Sequence, residues 1–391
     1  MKRLGVICFF LLLLCPLAAQ TRLSGQAQIS LLTAAPSDEE VFTLYGHSAI
    51  RVNDPENKID WVFNYGIFDF HQPNFMLRFM LGKTDYILGI NKFNDYFIDY
   101  QMRGSEVTEQ VLNLSATQKQ QVWDYLLWNA QPENRTYRYN FFFDNCATRP
   151  RDIIEKAAGG EVRYAVADEK KTFRDLITQC TRNHSWYTFG CDLVLGAPTD
   201  RTASVREAMF LPAYLENGVA HASVTLPDGQ NVPLVASSHT LIEGTAEEAP
   251  DTRFTPLAAG ILLLLLTVVV TGIEWRRKTY FRAVDIVLFA IAGISGSLIF
   301  FLWFVSEHPC VNANWNLIWL NPVELVAVAL FAVKKGKKAA YCYHFINFAT
   351  LTLLLIGWKW IPQQMEPAFI PYILTLWTRS GYGVYRFIKR R

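Results

Sequence analysis

The sequence lacks the short motifs that mark the commonest metal and nucleotide sites. It has no CxxC or HExxH spacing, which would indicate a zinc site, and no glycine-rich phosphate loop. Internal repeats and low-complexity segments are absent as well. A formal net charge of only +2 over 391 residues gives no support for a nucleic-acid partner. We therefore expect a protein that uses no metal, no cofactor and no nucleic acid.

The N-terminal stretch MKRLGVICFFLLLLCPLAAQ has the pattern of a secretory signal peptide. Two basic residues precede an apolar run that ends on Ala18 and Ala19, and the run is too short to span a bilayer comfortably. Cys15 follows Leu14, whereas a lipid-attachment site would need a small residue there. We expect residues 1–19 to be removed and no lipid to be attached.

The composition changes abruptly near residue 255. Residues 20–254 are mixed and charged, and this length suits one substantial domain. Residues 255–391 contain apolar stretches long enough for membrane-spanning helices. They predict five spans, the first beginning at Pro256 and the others at about 283–305, 315–333, 339–361 and 368–387. The second domain is therefore predicted to be all-α and transmembrane.

The charged residues between the spans predict the orientation. Cationic clusters follow the first, third and fifth spans: Arg276, Arg277 and Lys278; Lys334, Lys335, Lys337 and Lys338; and Lys389, Arg390 and Arg391. The loops on the opposite side, SEHPCVNANW and PQQMEPAF, contain no Lys or Arg. Because cationic loops stay in the cytoplasm, we expect a cytoplasmic C-terminus and an extracytoplasmic first domain.

The first domain is predicted to have an α+β fold with a largely antiparallel sheet. Branched and aromatic residues predict strands at 27–34, 41–52, 59–70 and 137–144. A helix is predicted at 115–130, where Ser115 and Gln118 have the spacing of a capping box. A second helix should begin near Thr148 and end before Gly159.

The cysteines of an exported domain meet an oxidising compartment. Cys180 and Cys191 flank the short loop TRNHSWYTFG, and we expect them to form a disulfide. Cys146 is then the odd thiol of the domain. In NFFFDNCATRPRD it lies near a predicted helix N-terminus, where unpaired N–H groups and the nearby Arg149 and Arg151 would lower a thiol pKa. Cys146 is therefore a candidate nucleophile, and a small hydrophobic core residue is the alternative.

A nucleophilic thiol needs a proton acceptor, and histidine is the usual one. The domain offers His47, His71, His184 and His221. His47 lies in a predicted strand whose alternation would place Tyr45, His47 and Ala49 on one face. We therefore favour His47 as the base, although a strand histidine is more often structural.

Three segments carry a family resemblance. GHSAIRV, VFNYGIFDF and DNCATRPRD occur in that order ahead of five predicted spans, and together they resemble the Lnb-type lipoprotein N-acyltransferases of Gram-negative bacteria. The resemblance implies a circularly permuted papain-like domain, similar to NlpC-type enzymes and to lecithin:retinol acyltransferase (LRAT). It implies Cys146 as nucleophile, His47 as base and Asn64 as the third residue, with Asp60 and Tyr65 as alternatives to Asn64. The residues after the cysteine, Ala-Thr-Arg, depart from the wider superfamily, which has acidic and histidine residues there.

The function that the resemblance implies is acyl transfer at the inner membrane. A fatty acyl chain would move from a phospholipid or other diacylglyceryl lipid to the thiol, and then to the N-terminal amine of a diacylglyceryl-cysteine lipoprotein. A cell-wall cysteine peptidase or amidase and a non-catalytic sensor are the alternatives. Five polar residues lie within the predicted spans: Asp285, Glu324, His344, Asn347 and Arg379. For these we expect a structural pair such as Glu324 with Arg379.

Overall fold

The computed structural model describes residues 22–38, 40–68, 73–165, 170–245, 252–333 and 336–389. The predicted signal peptide and His71 lie outside these residues. A sheet-rich α+β domain is followed by a helical region that begins at Pro256. This confirms the predicted fold class at the level of its two parts.

Ten strands occur in the described residues. They are β1 (Gln28–Ala34), β2 (His47–Asp54), β3 (Ile59–Ile67), β4 (Asp85–Lys92), β5 (Val107–Leu112), β6 (Thr136–Arg138), β7 (Glu161–Arg163), β8 (Ser223–Thr225), β9 (Asn231–Pro233) and β10 (Val235–Ile242). Seven of them form one antiparallel sheet in the order β10, β5, β1, β2, β3, β4, β6. Strands β7, β8 and β9 form a small second sheet.

Eight helices occur in the same domain, again counting only the described residues. They are α1 (Phe75–Met80), α2 (Phe93–Met102), α3 (Ala116–Asn129), α4 (Thr148–Ala157), α5 (Phe173–Thr181), α6 (Ser185–Val194), α7 (Val205–Ala208) and α8 (Pro212–Ala220). The capping box of Ser115 and Gln118 is formed at the start of α3, as predicted.

The central strand β1 is buried on both faces. Ile29 and Leu31 belong to a core cluster that also contains residues of α3, α4 and α8. Leu32 and Ala34 point to the other face, which α2 covers. This follows from the alternation of side chains along a strand. The sheet is thus a rigid layer between helices.

Two predicted strands differ from the structure. Val41–Tyr45 forms a 3-10 turn, and β2 begins only at His47, so Tyr45 does not share a strand face with it. Gly46 causes the break, since it has φ of 75° and a Cβ there would lie 2.7 Å from the carbonyl oxygen of Ala34. The strand predicted at 137–144 ends at Arg138, because the Asn140 side chain accepts hydrogen bonds from two following N–H groups and makes a turn.

The helical region contains α9 (Pro256–Arg277), α10 (Arg282–Phe304), α11 (Val323–Ala332), α12 (Lys337–Ile356) and α13 (Ile370–Lys389). Within the part of the chain that the structure describes, four helical segments are long and apolar enough to cross a membrane: α9, α10, Trp315–Ala332 and α12. The fifth predicted span coincides with α13, which is the most amphipathic of the group and buries Arg379. A fifth crossing therefore stays a prediction.

The predicted pair of Glu324 with Arg379 is wrong. Arg379 on α13 donates hydrogen bonds to Glu274 of α9 and Asp285 of α10, and all three side chains are fully buried. Glu324 instead accepts a hydrogen bond from Tyr343 of α12. The difference arises because α13 packs against α9, whereas α11 packs against α10 and α12.

Amide side chains from the loops between the predicted membrane helices bind the first domain. The Nδ2 groups of Asn314 and Asn316 donate to the carbonyl oxygens of Leu193 and Asp192, at 2.8 and 2.9 Å. Gln363 Nε2 donates to the carbonyl of Leu195 at 3.2 Å. These bonds satisfy carbonyl groups that the end of α6 leaves without intrahelical partners. The domain is thereby held directly above the membrane helices.

Candidate active site

Asn145 organises the start of the helix that follows the candidate nucleophile. Its Oδ1 accepts hydrogen bonds from the backbone N–H groups of Ala147 and Thr148, both at 2.9 Å. Its Nδ2 donates to two backbone carbonyl groups, and the side chain is buried. Cys146 is therefore held in one fixed position between this cap and α4.

The thiol of Cys146 lies against the first strand of the site. The backbone N–H groups of Ser48 and of Cys146 itself lie close enough to the sulfur to lower the pKa of the thiol. Burial nevertheless raises the pKa of the thiol to about 11. This differs from the lowered pKa that the helix N-terminus predicted, because the loss of hydration outweighs the N–H groups. The resting site thus holds a neutral thiol that must lose its proton to react.

His47 is the first residue of β2 and directly precedes Ser48. Its Nε2 lies 3.2 Å from Oδ1 of Asn64 on the neighbouring strand β3. Asn64 Nδ2 donates to Oδ1 of Asn91 on β4 at 2.9 Å, which turns the Asn64 oxygen towards the ring. The imidazole therefore carries its proton on Nε2, and Nδ1 keeps a free lone pair.

The protonation state of His47 suits a base. Burial lowers the pKa of His47, the hydrogen bond with Asn64 opposes this, and the charge of Arg103 lowers it further. The ring is consequently neutral at neutral pH. Within the described residues it forms no hydrogen bond with the Cys146 sulfur, so a proton transfer between them requires the two side chains to move into hydrogen-bond contact.

The other residues considered for the site have different partners. Asp60 forms an ion pair with Arg51 at 2.8 Å. Tyr65 donates its hydroxyl to Asn129 at 2.6 Å. The two remaining described histidines of the prediction, His184 and His221, bond to Asp38 Oδ1 and to the carbonyl of Asn217. Of the residues proposed from the sequence, the structure thus brings together Cys146, His47 and Asn64.

The segment that contains the site matches a known family of protein domains. Residues 23–179 match the family model of the Lnb N-terminal periplasmic domain, and residues 247–391 match that of the Lnb transmembrane domain. The chain belongs to the Lnb family. The two matches give it the architecture of an Lnb-type lipoprotein N-acyltransferase, with a periplasmic domain followed by a transmembrane domain. Comparison with curated proteins and with solved structures gave no match.

Tyrosine side chains surround the thiol of this Lnb domain, and the sequence reading missed them. Burial raises the pKa values of Tyr100, Tyr137 and Tyr139, and the neighbouring Cys146 adds to each shift. Gly66 also lies close to Cys146. It has φ of 94°, and a Cβ there would lie 3.5 Å from the Cys146 Cβ. The closely spaced aromatic residues of YRYNFFFD are the sequence feature that could have pointed to Tyr137 and Tyr139. These rings explain the desolvation of the thiol.

The predicted disulfide is not formed in the structure, where Cys180 and Cys191 are free thiols. Cys180 lies in the last turn of α5 and Cys191 in the second turn of α6, in an aromatic cluster around Phe173 and Phe210. Tyr45 packs in the same cluster as Cys191. The helices that carry the two thiols therefore pack through this cluster without a covalent link.

Proposed function

We propose that this Lnb-family protein is a cysteine-dependent lipoprotein N-acyltransferase with a permuted papain-like catalytic domain. Cys146 is the nucleophile, His47 the base, and Asn64 the residue that orients the base. The observation that carries the proposal is the hydrogen bond between His47 and Asn64, together with the proximity of the Cys146 sulfur to the backbone N–H of Ser48, the residue that follows His47. A Cys-His-Asn arrangement of this kind serves acyl transfer.

The first half of the reaction forms a thioester. Nδ1 of His47 removes the proton of the Cys146 thiol, and the sulfur attacks an ester carbonyl of a phospholipid or other diacylglyceryl lipid. The backbone N–H groups of Cys146 and Ser48 lie beside the sulfur and can stabilise the oxyanion. Collapse breaks the ester C–O bond, and His47 returns its proton to the departing alcohol.

The second half transfers the acyl chain to an amine. The neutral α-amine of a diacylglyceryl-cysteine lipoprotein attacks the thioester carbonyl, and His47 accepts one amine proton. The C–S bond breaks, and the proton passes to the sulfur, so the thiol is regenerated. The product is a triacylated lipoprotein with an N-terminal amide. Burial of the thiol favours the amine over water.

The location of the reaction follows from the docking of the two domains. The amide side chains of residues 314, 316 and 363 hold the periplasmic domain against the loops between the membrane helices. We propose that donor lipid and lipoprotein are both taken from the periplasmic leaflet of the inner membrane, and that the C-terminus is cytoplasmic after five crossings.

The test is complementation in a strain that lacks its own lipoprotein N-acylation. Wild-type protein and the variant Cys342→Ser, whose residue is exposed on α12, should both add an acyl chain to lipoprotein N-termini. Cys146→Ala should not. Mass spectrometry of the N-terminal lipopeptides gives the readout. Full N-acylation by a well-expressed Cys146→Ala protein would refute the proposal, and so would wild-type protein that releases soluble cell-wall peptides without N-acylation.

A further inference from the structure

Helix α1 exposes apolar side chains on a water-facing domain. Met76, Leu77 and Phe79 are 68%, 54% and 46% exposed. Phe42, in the turn just before β2, is 50% exposed, and Ile67 at the end of β3 is 41% exposed. We call these five residues the apolar strip. So much clustered apolar surface indicates a binding surface.

Residues that follow membrane helix α10 hold α1 in position by hydrogen bonds. The N–H of Glu307 donates to the carbonyl of Leu81 at 2.8 Å, and His308 Nε2 lies 2.6 Å from the carbonyl oxygen of Phe79. Residues 307 and 308 lie three and four residues beyond the end of α10 at Phe304. The apolar side chains of α1 therefore lie at the level where α10 ends.

Charged groups beside α1 match the headgroup layer of a membrane. Arg78 pairs with Asp85 at 2.7 Å, and Lys83 pairs with Glu307 at 3.1 Å. A helix with apolar residues on one side and charged residues around it has the character of an interfacial membrane helix. This combination favours a lipid over a protein partner.

A row of aromatic rings leads from α1 towards the thiol. Its members are Phe79, Phe75, Phe68, Tyr86 and Tyr139, and successive ring centroids lie 6.1, 6.2, 5.1 and 4.1 Å apart. The ring centroids of Phe42, in the apolar strip, and Phe68 lie 5.7 Å apart.

The last ring of this row borders the reactive thiol. A Cβ on Gly66 would lie 3.8 Å from the Tyr139 ring and 3.5 Å from the Cys146 Cβ. Apolar contacts thus continue from α1 to the nucleophile, and because Phe75 and Tyr86 are buried, an acyl chain would have to pass between these rings.

We propose that the apolar strip is an acyl-chain access surface. Met76 and Leu77 insert among the outer-leaflet lipids, and a fatty acyl chain leaves the bilayer along the strip and the aromatic row until its ester carbonyl reaches Cys146. The occupant is the acyl chain of a bilayer diacyl lipid. The inference rests on the proposed function, because it assigns the path by which that reaction obtains its donor.

The experiment compares two acyl donors with the full-length protein in proteoliposomes. One donor is a phospholipid of the vesicle, and the other is a water-soluble short-chain thioester whose chain need not leave a bilayer. The readout is acylation of Cys146, measured as a mass increase of its peptide. The test variant is Met76→Gln with Leu77→Gln. The control is Trp128→Gln, which removes a 55% exposed apolar side chain from α3, outside the strip.

The double variant should lose at least about tenfold in rate with the phospholipid, because polar side chains insert poorly into lipid, and should keep its rate with the soluble donor. The control should keep both rates. Equal rates of the double variant and wild type with phospholipid would overturn the inference, as would an equal loss with both donors. If wild-type Cys146 accepts acyl groups from neither donor, the proposed function itself fails.

Discussion

Nε2 of His47 and Oδ1 of Asn64 lie 3.2 Å apart across neighbouring strands, and this bond sets the tautomer of the imidazole. Asn64 can offer its oxygen because its amide nitrogen is bound to Asn91. The lone pair of His47 is then on Nδ1, the nitrogen that is free to accept a proton.

Removal of the base should cost more than removal of the residue that orients it. His47→Ala should lower the rate of acyl transfer by about 10²–10⁴-fold, the usual contribution of a positioned base. Asn64→Ala should lose less, because the imidazole remains. The double variant should be no worse than His47→Ala, since the two act as one unit. Single-turnover acylation of Cys146 measures all three, and additive losses would contradict this assignment.

The acid limb of the activity should lie below pH 6.5. The base works only when neutral, and burial together with Arg103 lowers the pKa of His47 from its ordinary value of 6.5. Activity is therefore expected to persist at pH 6.5 and to fall only under more acidic conditions. The pH dependence of kcat/KM with a soluble ester reports this pKa for the free enzyme. A midpoint at or above pH 6.5 would be inconsistent with the buried site.

The thiol of Cys146 should react slowly with an alkylating agent at neutral pH. Its pKa is raised to about 11, so little thiolate exists at pH 7 and the rate should increase as the pH rises towards that value. Peptide mapping after brief exposure to iodoacetamide follows Cys146 separately from the other cysteines. Rapid labelling at pH 5 would instead show a preformed thiolate.

The buried charges that join α9, α10 and α13 should be mutually dependent. Arg379→Met leaves Glu274 and Asp285 without their cation and should destabilise the protein by about 3–5 kcal/mol. Neutralising all three, with Glu274→Gln and Asp285→Asn added, should recover part of that loss. Thermal unfolding in detergent measures both proteins. A triple variant less stable than Arg379→Met would contradict this view of the cluster.

The orientation can be tested at the C-terminus. A reporter that is active only in the cytoplasm should work when it is fused after Arg391, because all three cationic clusters then face the cytoplasm. Activity of a periplasmic reporter at the same place would mean that α13 does not cross the membrane.

The features of the fold and of the site that depend on local sequence could be predicted. The capping box of Ser115 and the start of α4 at Thr148 are encoded within a few residues, so both could be predicted. Cys146, His47 and Asn64 were proposed as site residues through their motifs and through the family resemblance. Their neighbours were not, since the contact of Asn91 with Asn64 depends on how β4 pairs with β3.

Energetic quantities that depend on tertiary packing were also beyond the sequence. The helix start suggested a lowered thiol pKa, whereas aromatic side chains from distant elements desolvate Cys146 and raise it. The partners of Arg379 likewise follow from which helices are adjacent, and spacing along the chain does not reveal that.

The central claim is that the acyl chain passes through a thioester on Cys146. The direct measurement is mass spectrometry of the peptide that contains Cys146, after incubation of the full-length protein with isotope-labelled phospholipid and without a lipoprotein acceptor. The account predicts a labelled acyl group on Cys146 that hydroxylamine removes and that a diacylglyceryl-cysteine peptide accepts as an amide. Formation of the labelled amide by the Cys146→Ala protein at the wild-type rate would contradict it.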